Sequence, residues 1–494
     1  MNIEEITSYC KRTGIIFPSS EIYGQMPGFY DYGPIGVELA NNVKQSWWKN
    51  FVQNRQDIIG IDGSIIANPL VWKASGHIDS FTDPLTECLK CKKRFRADHL
   101  IESKAEMQSD GLKKEELTKI INDKKIKCPE CKSSLSEVKD FNQMFSTNIG
   151  AVNGNTAYLR PETAQSIFAS YKAVMDSTRI SPPFGIAQIG KAFRNEISPR
   201  NFIFRKREFE QMELEFFTKK DEKNECPFFE EIKSMKLNIL SAEKQEKGIS
   251  KAEEMSIRQA FEKKIFSNKW QAYWTAESIN WMIGLGINPE KLRLRQHMKN
   301  ELSFYSAGTV DIEFDFPIGY KEIQGIADRT TYDLTQHQNL SKQNLEYFDE
   351  KTRKKEILYV AAEPSAGVER IILAILFSAL TEEKERTVLK ISPKISPYKA
   401  AIFPLVKKGL ESKSKEVFDA LKKEFNCFYD ESGSIGRRYR RQDEIGTPYC
   451  ITIDFDSLKD DSATLRMRDS MKQERIKIKE LTEEIKKRIN KSQA

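Results

Sequence analysis

Arg194-Asn195-Glu196, continued as far as Phe209, predicts two strands joined by a loop. Alternation along residues 184–196 places Arg194 and Glu196 on one face of the first strand. Residues 197–204 include Pro199 and suit the loop. The return strand presents one face with Arg205, Arg207, Phe209, Gln211 and Glu213. Such a face, rich in arginine with an aromatic ring, suits a flat anionic ligand. A solvated hairpin with surface ion pairs is the alternative.

A second stretch, Gly367-Val368-Glu369-Arg370, precedes the apolar run 371–377. A run that is apolar nearly all round predicts a buried helix. Arg370 would then stand at the helix N-terminus, where a cation opposes the helix dipole and needs an anionic partner. A bound nucleotide could be that partner. An ion pair with Glu369 or another acid is the alternative.

These stretches overlap a set of five motifs through which the chain resembles a known protein family. The motifs are Gly28-Phe29-Tyr30-Asp31-Tyr32-Gly33-Pro34, Arg160-Pro161-Glu162-Thr163-Ala164-Gln165, Phe193-Arg194-Asn195-Glu196, Arg207-Glu208-Phe209-Glu210-Gln211-Met212-Glu213 and Glu363-Pro364-Ser365-Ala366-Gly367. They follow one another in the order found in class II aminoacyl-tRNA synthetases. Among these enzymes the chain resembles the homodimeric glycyl-tRNA synthetases, from about Tyr23 to its C-terminus.

Composition sets the broad class of the chain. At 494 residues it is too long for one core, so two to four domains are expected. The longest apolar run, 371–377, is far too short to span a bilayer, and residues 1–5 are not those of a secretory signal. We therefore expect a cytoplasmic protein that does not bind membranes. The net charge of +7 gives mild support for a polyanionic partner, although lysine-rich surface helices explain it equally well.

The resemblance implies an α+β fold: a class II catalytic domain with an antiparallel sheet over residues 1–390 and an anticodon-binding α/β domain over 391–494. Residues 37–52 predict an amphipathic helix, and residues 64–72 predict a strand that contains Pro69. In the family, a helix followed by such a strand forms the dimer interface; from the sequence alone, a monomer with a capped sheet edge fits equally well. We expect two insertions in the catalytic domain, a zinc ribbon at 86–140 and a polar, helical segment at 219–300.

Further strands are predicted at 309–316, 320–324 and 357–362, and residues 381–386 read as a charged linker. Beyond this linker, strands and helices alternate, ending with a predicted helix over 473–489. This part contains Arg437-Arg438-Tyr439-Arg440-Arg441, which would suit an RNA backbone with base stacking on the tyrosine. A basic, solvated helix is the alternative.

Four cysteines form two Cys-x-x-Cys pairs, Cys88 with Cys91 and Cys128 with Cys131. This spacing is typical of a four-thiolate zinc site, although the gap between the pairs is longer than usual. Flanking lysines would stabilise the thiolates. Disulfides are the alternative, but a cytosolic setting argues against them. Because four thiolates leave no open coordination position, the zinc would be structural.

The resemblance implies a two-step reaction: ATP activates glycine to glycyl-adenylate, and the glycyl group passes to the 3′ end of tRNA(Gly). A carboxylate nucleophile is ionised at neutral pH, so no general base is needed, and catalysis depends on positioning and charge stabilisation. The implied catalytic residues are Arg194, Arg205 and Arg370. Phe209 and Arg370 would enclose the adenine, and Glu322 would bind Mg²⁺. The residues expected to bind ATP are Arg194, Asn195, Glu196, Phe204, Arg205, Lys206, Arg207, Glu208, Phe209, Glu322, Ile323, Gly367, Val368, Glu369 and Arg370.

Glycine offers only an ammonium group and small size for recognition, which suits a ring of carboxylates. The family's glutamates match Glu162, Glu213 and Glu363, and Ser365 would limit the room for a side chain. The residues expected to bind glycine are Arg96, Glu162, Phe209, Glu210, Gln211, Met212, Glu213, Glu363, Pro364, Ser365, Ala366 and Gly367.

Two other functions fit a chain of this kind. A non-catalytic relative that only binds nucleic acid should have lost the arginines or the glutamate ring, and both are present. A class II synthetase for another small amino acid is disfavoured by the motifs around Glu162 and Glu363. No Gly-rich Rossmann turn or Walker phosphate loop occurs in the sequence.

Overall fold

The computed structural model describes residues 1–105, 107, 109, 111–150, 154–303 and 305–491. Three residues of the predicted 86–140 insertion and the last three of the predicted C-terminal domain lie outside this set. The described residues form 26 strands: β1 Ile16–Pro18, β2 Tyr30–Tyr32, β3 Ile58–Gly60, β4 Ile66–Ala67, β5 Thr82–Glu87, β6 Arg94–Arg96, β7 Lys139–Asn142, β8 Ser146–Ile149, β9 Asn155–Leu159, β10 Phe184–Phe193, β11 Glu208–Thr218, β12 Lys236–Leu240, β13 Glu253–Ser256, β14 Leu292–Gln296, β15 Gly308–Phe316, β16 Gly319–Asp328, β17 Tyr347–Asp349, β18 Lys354–Glu356, β19 Tyr359–Gly367, β20 Leu380–Glu383, β21 Arg386–Leu389, β22 Ala400–Pro404, β23 Cys427–Tyr429, β24 Tyr449–Ile453, β25 Ser462–Met467 and β26 Gln473–Lys477.

The same residues form 17 α-helices: α1 Ile3–Thr13, α2 Pro34–Trp48, α3 Pro69–Ala74, α4 His77–Ser80, α5 Ala97–Ala105, α6 Lys114–Asp123, α7 Ala164–Thr178, α8 Phe229–Ile232, α9 Ala242–Glu246, α10 Ile257–Glu262, α11 Lys269–Gly284, α12 Tyr332–Ser341, α13 Val368–Ala379, α14 Glu411–Leu421, α15 Ile435–Ile445, α16 Ser457–Asp460 and α17 Leu481–Lys491.

The strand–loop–strand prediction around Arg194 is confirmed. β10 and β11 pair antiparallel, with Phe193 opposite Glu208 at the end nearest the loop. Arg194 directly follows β10, and a short 3₁₀ turn at 202–204 precedes β11. The loop therefore holds the predicted arginines at one end of a regular strand pair.

Nine strands of the described chain form the central sheet, in the order β13-β12-β14-β15-β16-β19-β11-β10-β3. Most neighbours are antiparallel; only β12 with β14 and β10 with β3 run parallel. The antiparallel plan predicted from the scattered strands is confirmed. The predicted buried helix is also present as α13, in which residues 371–376 are fully buried in the largest hydrophobic cluster.

Two predictions within the catalytic part are corrected. Residues 64–72 do not form one strand: β4 is short, and α3 begins at Pro69. Proline fits the first position of a helix, and the Asn68 side chain accepts a hydrogen bond from the amide of Leu70 at 2.9 Å, which caps the helix. The segment 219–300 is not purely helical, because β12, β13 and β14 extend the central sheet at one edge.

The C-terminal part has a second sheet, in the order β23-β22-β24-β25-β26. The first three strands of this order run parallel, and β24, β25 and β26 run antiparallel. The predicted helix over 473–489 is wrong in its first half, because β26 occupies 473–477 and α17 begins at Leu481. Every residue of β26 has a partner in β25, from Ser462 opposite Lys477 to Arg466 opposite Gln473, so strand pairing overrides the helical pattern there.

The predicted linker 381–386 is instead part of a hairpin, β20–β21, in which Glu383 lies opposite Arg386. Arg386 is almost fully buried and donates hydrogen bonds to Glu383 at 2.7 Å and to Asp443 at 2.8 Å. Asp443 is completely buried and also accepts two hydrogen bonds from Arg466. Only Arg386 of this segment is buried, whereas Glu382, Lys384 and Glu385 are exposed. The ion pairs of Arg386 with Glu383 and Asp443 fix the hairpin in place, which is why the segment does not behave as a linker.

Candidate active site

One cavity, of about 260 Å³, gathers both groups of predicted site residues. Its walls come from β11, β16 and β19 of the central sheet, the loop before β11 and the start of α13. One end is lined by arginines and aromatic rings, and the other by glutamates. The antiparallel pairing of β11 with β19 explains why the two ends differ. Alternate residues of these strands face the cavity, and they follow one another from the end near the loop toward the centre of the sheet.

Arg370 lies at the arginine-rich end. Its Nη1 donates to the Glu322 carboxylate at 2.9 Å, and its guanidinium carbon is 4.6 Å from the centroid of the Phe204 ring. Burial would raise the pKa of the Glu322 carboxyl, but the adjacent Arg370 outweighs this, and the pKa lies below its usual value. The anion beside Arg370 is therefore Glu322, whereas Glu369 pairs with Lys206 at 2.9 Å.

Arg194 lies on the opposite wall. Its guanidinium carbon is 5.3 Å from the centroid of Phe209 and 5.5 Å from that of Phe81, and its Nε donates to the carbonyl of Pro161. Arg205 lines the same space, with its Nη1 3.8 Å from the Glu196 carboxylate. Three arginines and two aromatic rings thus surround a slot that is open to a planar, negatively charged ligand: Arg194, Arg205, Arg370, Phe204 and Phe209.

The other end of the cavity is built around Glu213. One of its oxygens accepts hydrogen bonds from the amide and hydroxyl of Thr163, and the other accepts from Ser365 Oγ at 2.6 Å. Ser365 faces Glu213 directly across the β11–β19 pair. Burial, followed by the nearby Glu162, raises the pKa of the Glu213 carboxyl above its ordinary value.

Glu363 lies one row deeper and is paired with Arg329. Arg329 Nη1 donates to Glu363 at 2.7 Å, and its other nitrogens bind Asp333 at 2.9 Å. Burial raises the pKa of Glu363 to about 8 despite this arginine, and Glu213 adds to the effect. Glu363 therefore holds a proton readily while the cavity contains no cation.

Glu162 completes the ring of glutamates. Its two oxygens lie 3.3 Å from His77 Nε2 and 3.2 Å from Gln165 Nε2, respectively. Burial would raise the pKa of Glu162, but His77 and Arg329 outweigh that effect and hold the pKa well below its usual range. Of the three ring glutamates, Glu162 is the one held ionised, which suits it to meet a cation.

A fourth glutamate, Glu215, lies behind the ring. It is fully buried, and neither carboxylate oxygen has a hydrogen-bond partner among the described residues. The register of β11 and β19 places it opposite Glu363, since Glu213 faces Ser365. Burial and then Glu363 raise the pKa of the Glu215 carboxyl well above its ordinary value.

Most predicted side chains of both groups line the cavity. Those that do are Glu162, Arg194, Glu196, Phe204, Arg205, Lys206, Phe209, Gln211, Glu213, Glu322, Glu363, Ser365, Gly367, Glu369 and Arg370. The ones the structure places elsewhere are Arg96, Asn195, Arg207, Glu208, Glu210, Met212, Ile323, Pro364, Ala366 and Val368.

Strand alternation explains several of these exceptions, and local contacts explain others. Glu208, Glu210 and Met212 fall on the opposite face of β11 from Phe209, and Glu210 pairs there with Lys44 at 2.9 Å. Arg207 donates to the carbonyls of Glu196 and Pro27, so it ties the loop to the N-terminal segment. Arg96 is held by Asp83 and Asp98 outside the cavity.

Sequence reasoning missed several lining residues. His297 and Asp311 contact each other at 2.7 Å in the cavity wall. His297 follows β14, inside the segment that was predicted to be helical, so its position beside the sheet was hidden. Asp311 is one of the polar residues that alternate along β15, a signal that was visible but not assigned to a site. Other lining residues that were missed are Ile203, Ser303, Tyr305, Thr309, Gly325 and Ala327.

The four cysteines of the insertion come together. Their sulfur atoms all lie within 4.8 Å of one another, with Cys88 and Cys131 at 3.4 Å and Cys91 and Cys128 at 3.7 Å. All four are free thiols. Tetrahedral zinc with bonds of about 2.3 Å needs sulfur atoms about 3.8 Å apart, so the cluster fits a zinc ion.

The basic cluster 437–441 divides into two kinds of residue. Arg438 is buried and donates to the carbonyls of Pro404 and Leu405, and Tyr439 packs against Phe403 with its hydroxyl on Thr452. These two residues support the sheet and do not present themselves to RNA, which corrects the predicted stacking on Tyr439. Arg437 and Arg441 are exposed on the outer side of α15.

Comparisons with known proteins match both parts of the chain to family models. Residues 147–379 match the tRNA synthetase class II core domain (G, H, P, S and T), and residues 399–488 match the anticodon binding domain family. A glycine–tRNA ligase of Clostridium beijerinckii is 47% identical over 493 residues, covering 97% of this chain and 96% of that relative. The chain belongs to the glycine–tRNA ligase family. A second glycine–tRNA ligase, from Ruminiclostridium cellulolyticum, is 46% identical and covers the same shares of both chains.

A solved structure supports the fold of this glycine–tRNA ligase family member. The prolyl-tRNA synthetase of Cryptosporidium parvum, crystallised with L-proline and AMP, superposes with a TM-score of 0.57 at 14% identity. The match covers 99% of this chain and 78% of that one. Within the described residues, no helix combines the length and apolar composition needed to cross a membrane.

Proposed function

We propose that this protein activates glycine with ATP and transfers the glycyl group to the 3′ end of tRNA(Gly). The observation that carries the proposal is the single cavity with arginines and rings at one end and three buried glutamates at the other. The reacting carboxylate and the α-phosphorus of ATP would meet between these two ends. No protein base is needed there, because the attacking carboxylate is already ionised.

The arginines act on the nucleotide. Arg194 would bind the α-phosphate and Arg205 the terminal phosphates, while Phe209 and Arg370 would enclose the adenine from its two faces. Arg194 and Arg205 approach the cavity from the β10–β11 loop and Arg370 from the start of α13, so the phosphates could be bound by more than one cation at once. Mg²⁺, held by Glu322, would supply further charge neutralisation for the phosphates.

The glutamates act on glycine. Glu162 is held ionised and would bind the ammonium, and the entering cation would lower the pKa values of Glu213 and Glu363, which burial raises. Ser365, hydrogen-bonded to Glu213, leaves little space beside the α-carbon. Amino acids with larger side chains would be excluded by steric clash.

Other parts of the chain would serve the second step. We propose that residues 391–494 bind the anticodon region of tRNA, with 1–390 as the catalytic domain, and that the cysteine cluster binds structural zinc. Residues 391–494 contain 23 Lys and Arg against 17 Asp and Glu, so they carry +6 of the formal net charge of +7. A basic domain suits an RNA partner.

We also propose that the protein is a cytoplasmic homodimer. The exposed apolar side chains of Val37, Ile66 and Leu70, in the region of α2 to α3, support the dimer.

ATP–pyrophosphate exchange with each of the twenty amino acids tests the proposal. We expect exchange with glycine and none above background with alanine, serine, threonine or proline. Arg194→Ala is the matched inactive control. Exchange that depends on another amino acid, or no exchange with any, would contradict the proposed activity.

A further inference from the structure

His77 contacts the ring of glutamates from outside the cavity. Its Nε2 lies 3.3 Å from Oε2 of Glu162, and both side chains are about nine-tenths buried. His77 does not line the cavity itself. It is one of only four histidines in the chain, and none of the roles proposed above uses it. A buried imidazole beside a buried carboxylate needs a reason, since both groups lose solvation.

The hydrogen-bond partners of the ring settle which atom carries a proton. Nδ1 of His77 lies 2.8 Å from Ser75 Oγ, and that hydroxyl also lies 3.3 Å from the carbonyl of Trp72. If Ser75 donates to Nδ1, the neutral ring carries its proton on Nε2. If Ser75 donates to the carbonyl, Nδ1 must itself donate, and Nε2 still needs a proton because Glu162 is an acceptor. In both cases Nε2, which lies 3.3 Å from Oε2 of Glu162, carries a proton.

The opposite oxygen of Glu162 is held independently. Gln165 Nε2 donates to Oε1 of Glu162 at 3.2 Å and to Asp333 at 2.9 Å. The amide oxygen of Gln165 is 2.9 Å from Nε2 of His337, which therefore donates to it. Both oxygens of Glu162 therefore have a partner: His77 at Oε2 and Gln165 at Oε1. Its remaining lone pairs are left to face the cavity.

The ring of His77 is fixed by its neighbours. The centroids of Trp72 and Phe81 lie 5.6 and 5.3 Å from that of the imidazole. Gly76, with φ of 80°, reverses the chain between α3 and α4, so that His77 folds back onto Ser75. Phe81 in turn lies beneath Arg194. This packing leaves the imidazole little freedom to turn its Nε2 away from Glu162.

We propose that His77 is a positioning residue for the amino-acid pocket: it donates from Nε2 to Glu162 and holds that carboxylate, ionised and oriented, where the substrate ammonium binds. This inference rests on the proposed role of Glu162 in binding glycine. The low pKa of Glu162, which His77 helps to maintain, agrees with it.

Three variants separate hydrogen bonding from packing. His77→Gln places an amide N–H near the position of Nε2, whereas His77→Asn places one only near Nδ1. Ser75→Ala removes the partner that orients the ring. Exchange kinetics with wild type and each variant give KM for glycine, KM for ATP and kcat, and thermal unfolding shows whether each variant is folded.

We expect His77→Asn to raise KM for glycine about 10- to 100-fold, the cost of a lost hydrogen bond to a charged group. KM for ATP and kcat should change little, since the missing contact acts on ground state and transition state alike. His77→Gln should restore KM for glycine to within about threefold of wild type, and Ser75→Ala should fall between the two.

Two results would overturn the positioning role. One is a KM for glycine in His77→Asn that matches wild type. The other is an equal rise of both KM values in His77→Asn and His77→Gln, which would mean that His77 only supports the fold between Trp72 and Phe81. Either result would leave the activity of the wild-type protein with glycine intact, whereas a wild type inactive with glycine would refute the proposed function itself.

Discussion

Arg370 Nη1 and the Glu322 carboxylate lie 2.9 Å apart, and Arg370 also donates to the carbonyl of Glu322. The cation proposed to cover the adenine and the carboxylate proposed to bind Mg²⁺ thus hold each other in place. The position in which either side chain, Arg370 or Glu322, meets the nucleotide is therefore set by its contact with the other. Loss of Arg370 removes a nucleotide contact and also leaves Glu322 as an unpaired anion in a site for phosphates.

Arg370→Ala should therefore lower the rate of ATP–pyrophosphate exchange about 10²-fold or more. The side chain is one-quarter exposed, so the unfolding temperature should change by only a few degrees. Arg258→Ala, at an exposed arginine outside the cavity, is the control. Exchange within a few-fold of wild type for Arg370→Ala would mean that this arginine does not serve the nucleotide.

Glu215→Gln should stabilise the protein, and the gain should increase with pH. The pKa of Glu215 is raised in the folded state, so the folded protein keeps a proton that the unfolded chain releases above about pH 4.3. Stability therefore falls as pH rises from that value, and glutamine does not titrate. Unfolding temperatures of wild type and variant at pH 5, 6.5 and 8 measure the difference. Glu246→Gln, at an exposed position, should show no such trend.

Protein purified without added metal should contain about one equivalent of zinc per chain. At a structural site of this kind zinc binding contributes to the free energy of folding, so the folded protein should retain the ion. Substitution of Cys91 by serine should abolish binding, because it breaks one of the two facing sulfur pairs. Cys226→Ser is the control, as this thiol lies outside the cluster. A metal-free protein with disulfides among the four cysteines would refute the assignment.

Neutralising Arg437, Arg440 and Arg441 together should weaken tRNA binding and flatten its dependence on salt concentration. Glycine-dependent exchange should be unchanged, because these side chains lie on α15 and none of them lines the cavity. Arg438→Gln makes a useful contrast. Its guanidinium is buried on backbone carbonyls, so this change should lower the unfolding temperature. Filter binding at several salt concentrations distinguishes the two effects.

A great deal of this architecture follows from local patterns in the sequence. Alternation around Phe209 predicted the strand pair and the face it turns to the cavity, and the apolar run after Arg370 predicted α13. The errors arose where one residue type has two structural uses. Pro69 reads as part of an edge strand but starts a helix, and Arg386 reads as part of a solvated linker but is buried in a hairpin and pairs with Asp443.

The contacts around Glu162 show the other limit. His77, Gln165 and Arg329 come from three segments separated by up to 252 positions, and no periodicity connects them. Only the folded sheet brings such residues to one carboxylate. The same holds for His297, which reaches the cavity because β14 joins the sheet beside β15.

The buried triad of Arg386, Asp443 and Arg466 restricts where this chain can be divided for fusion or recombination. Arg386 lies before residue 391, whereas Asp443 and Arg466 lie after it. A fusion of the first 390 residues to a foreign C-terminal domain would leave the buried guanidinium of Arg386 without Asp443. The transplanted C-terminal half would keep Asp443 but would lose one of its two arginine partners. Gene exchange between relatives would therefore succeed more readily with a crossover ahead of Leu380, so that the hairpin travels with the domain it is bonded to.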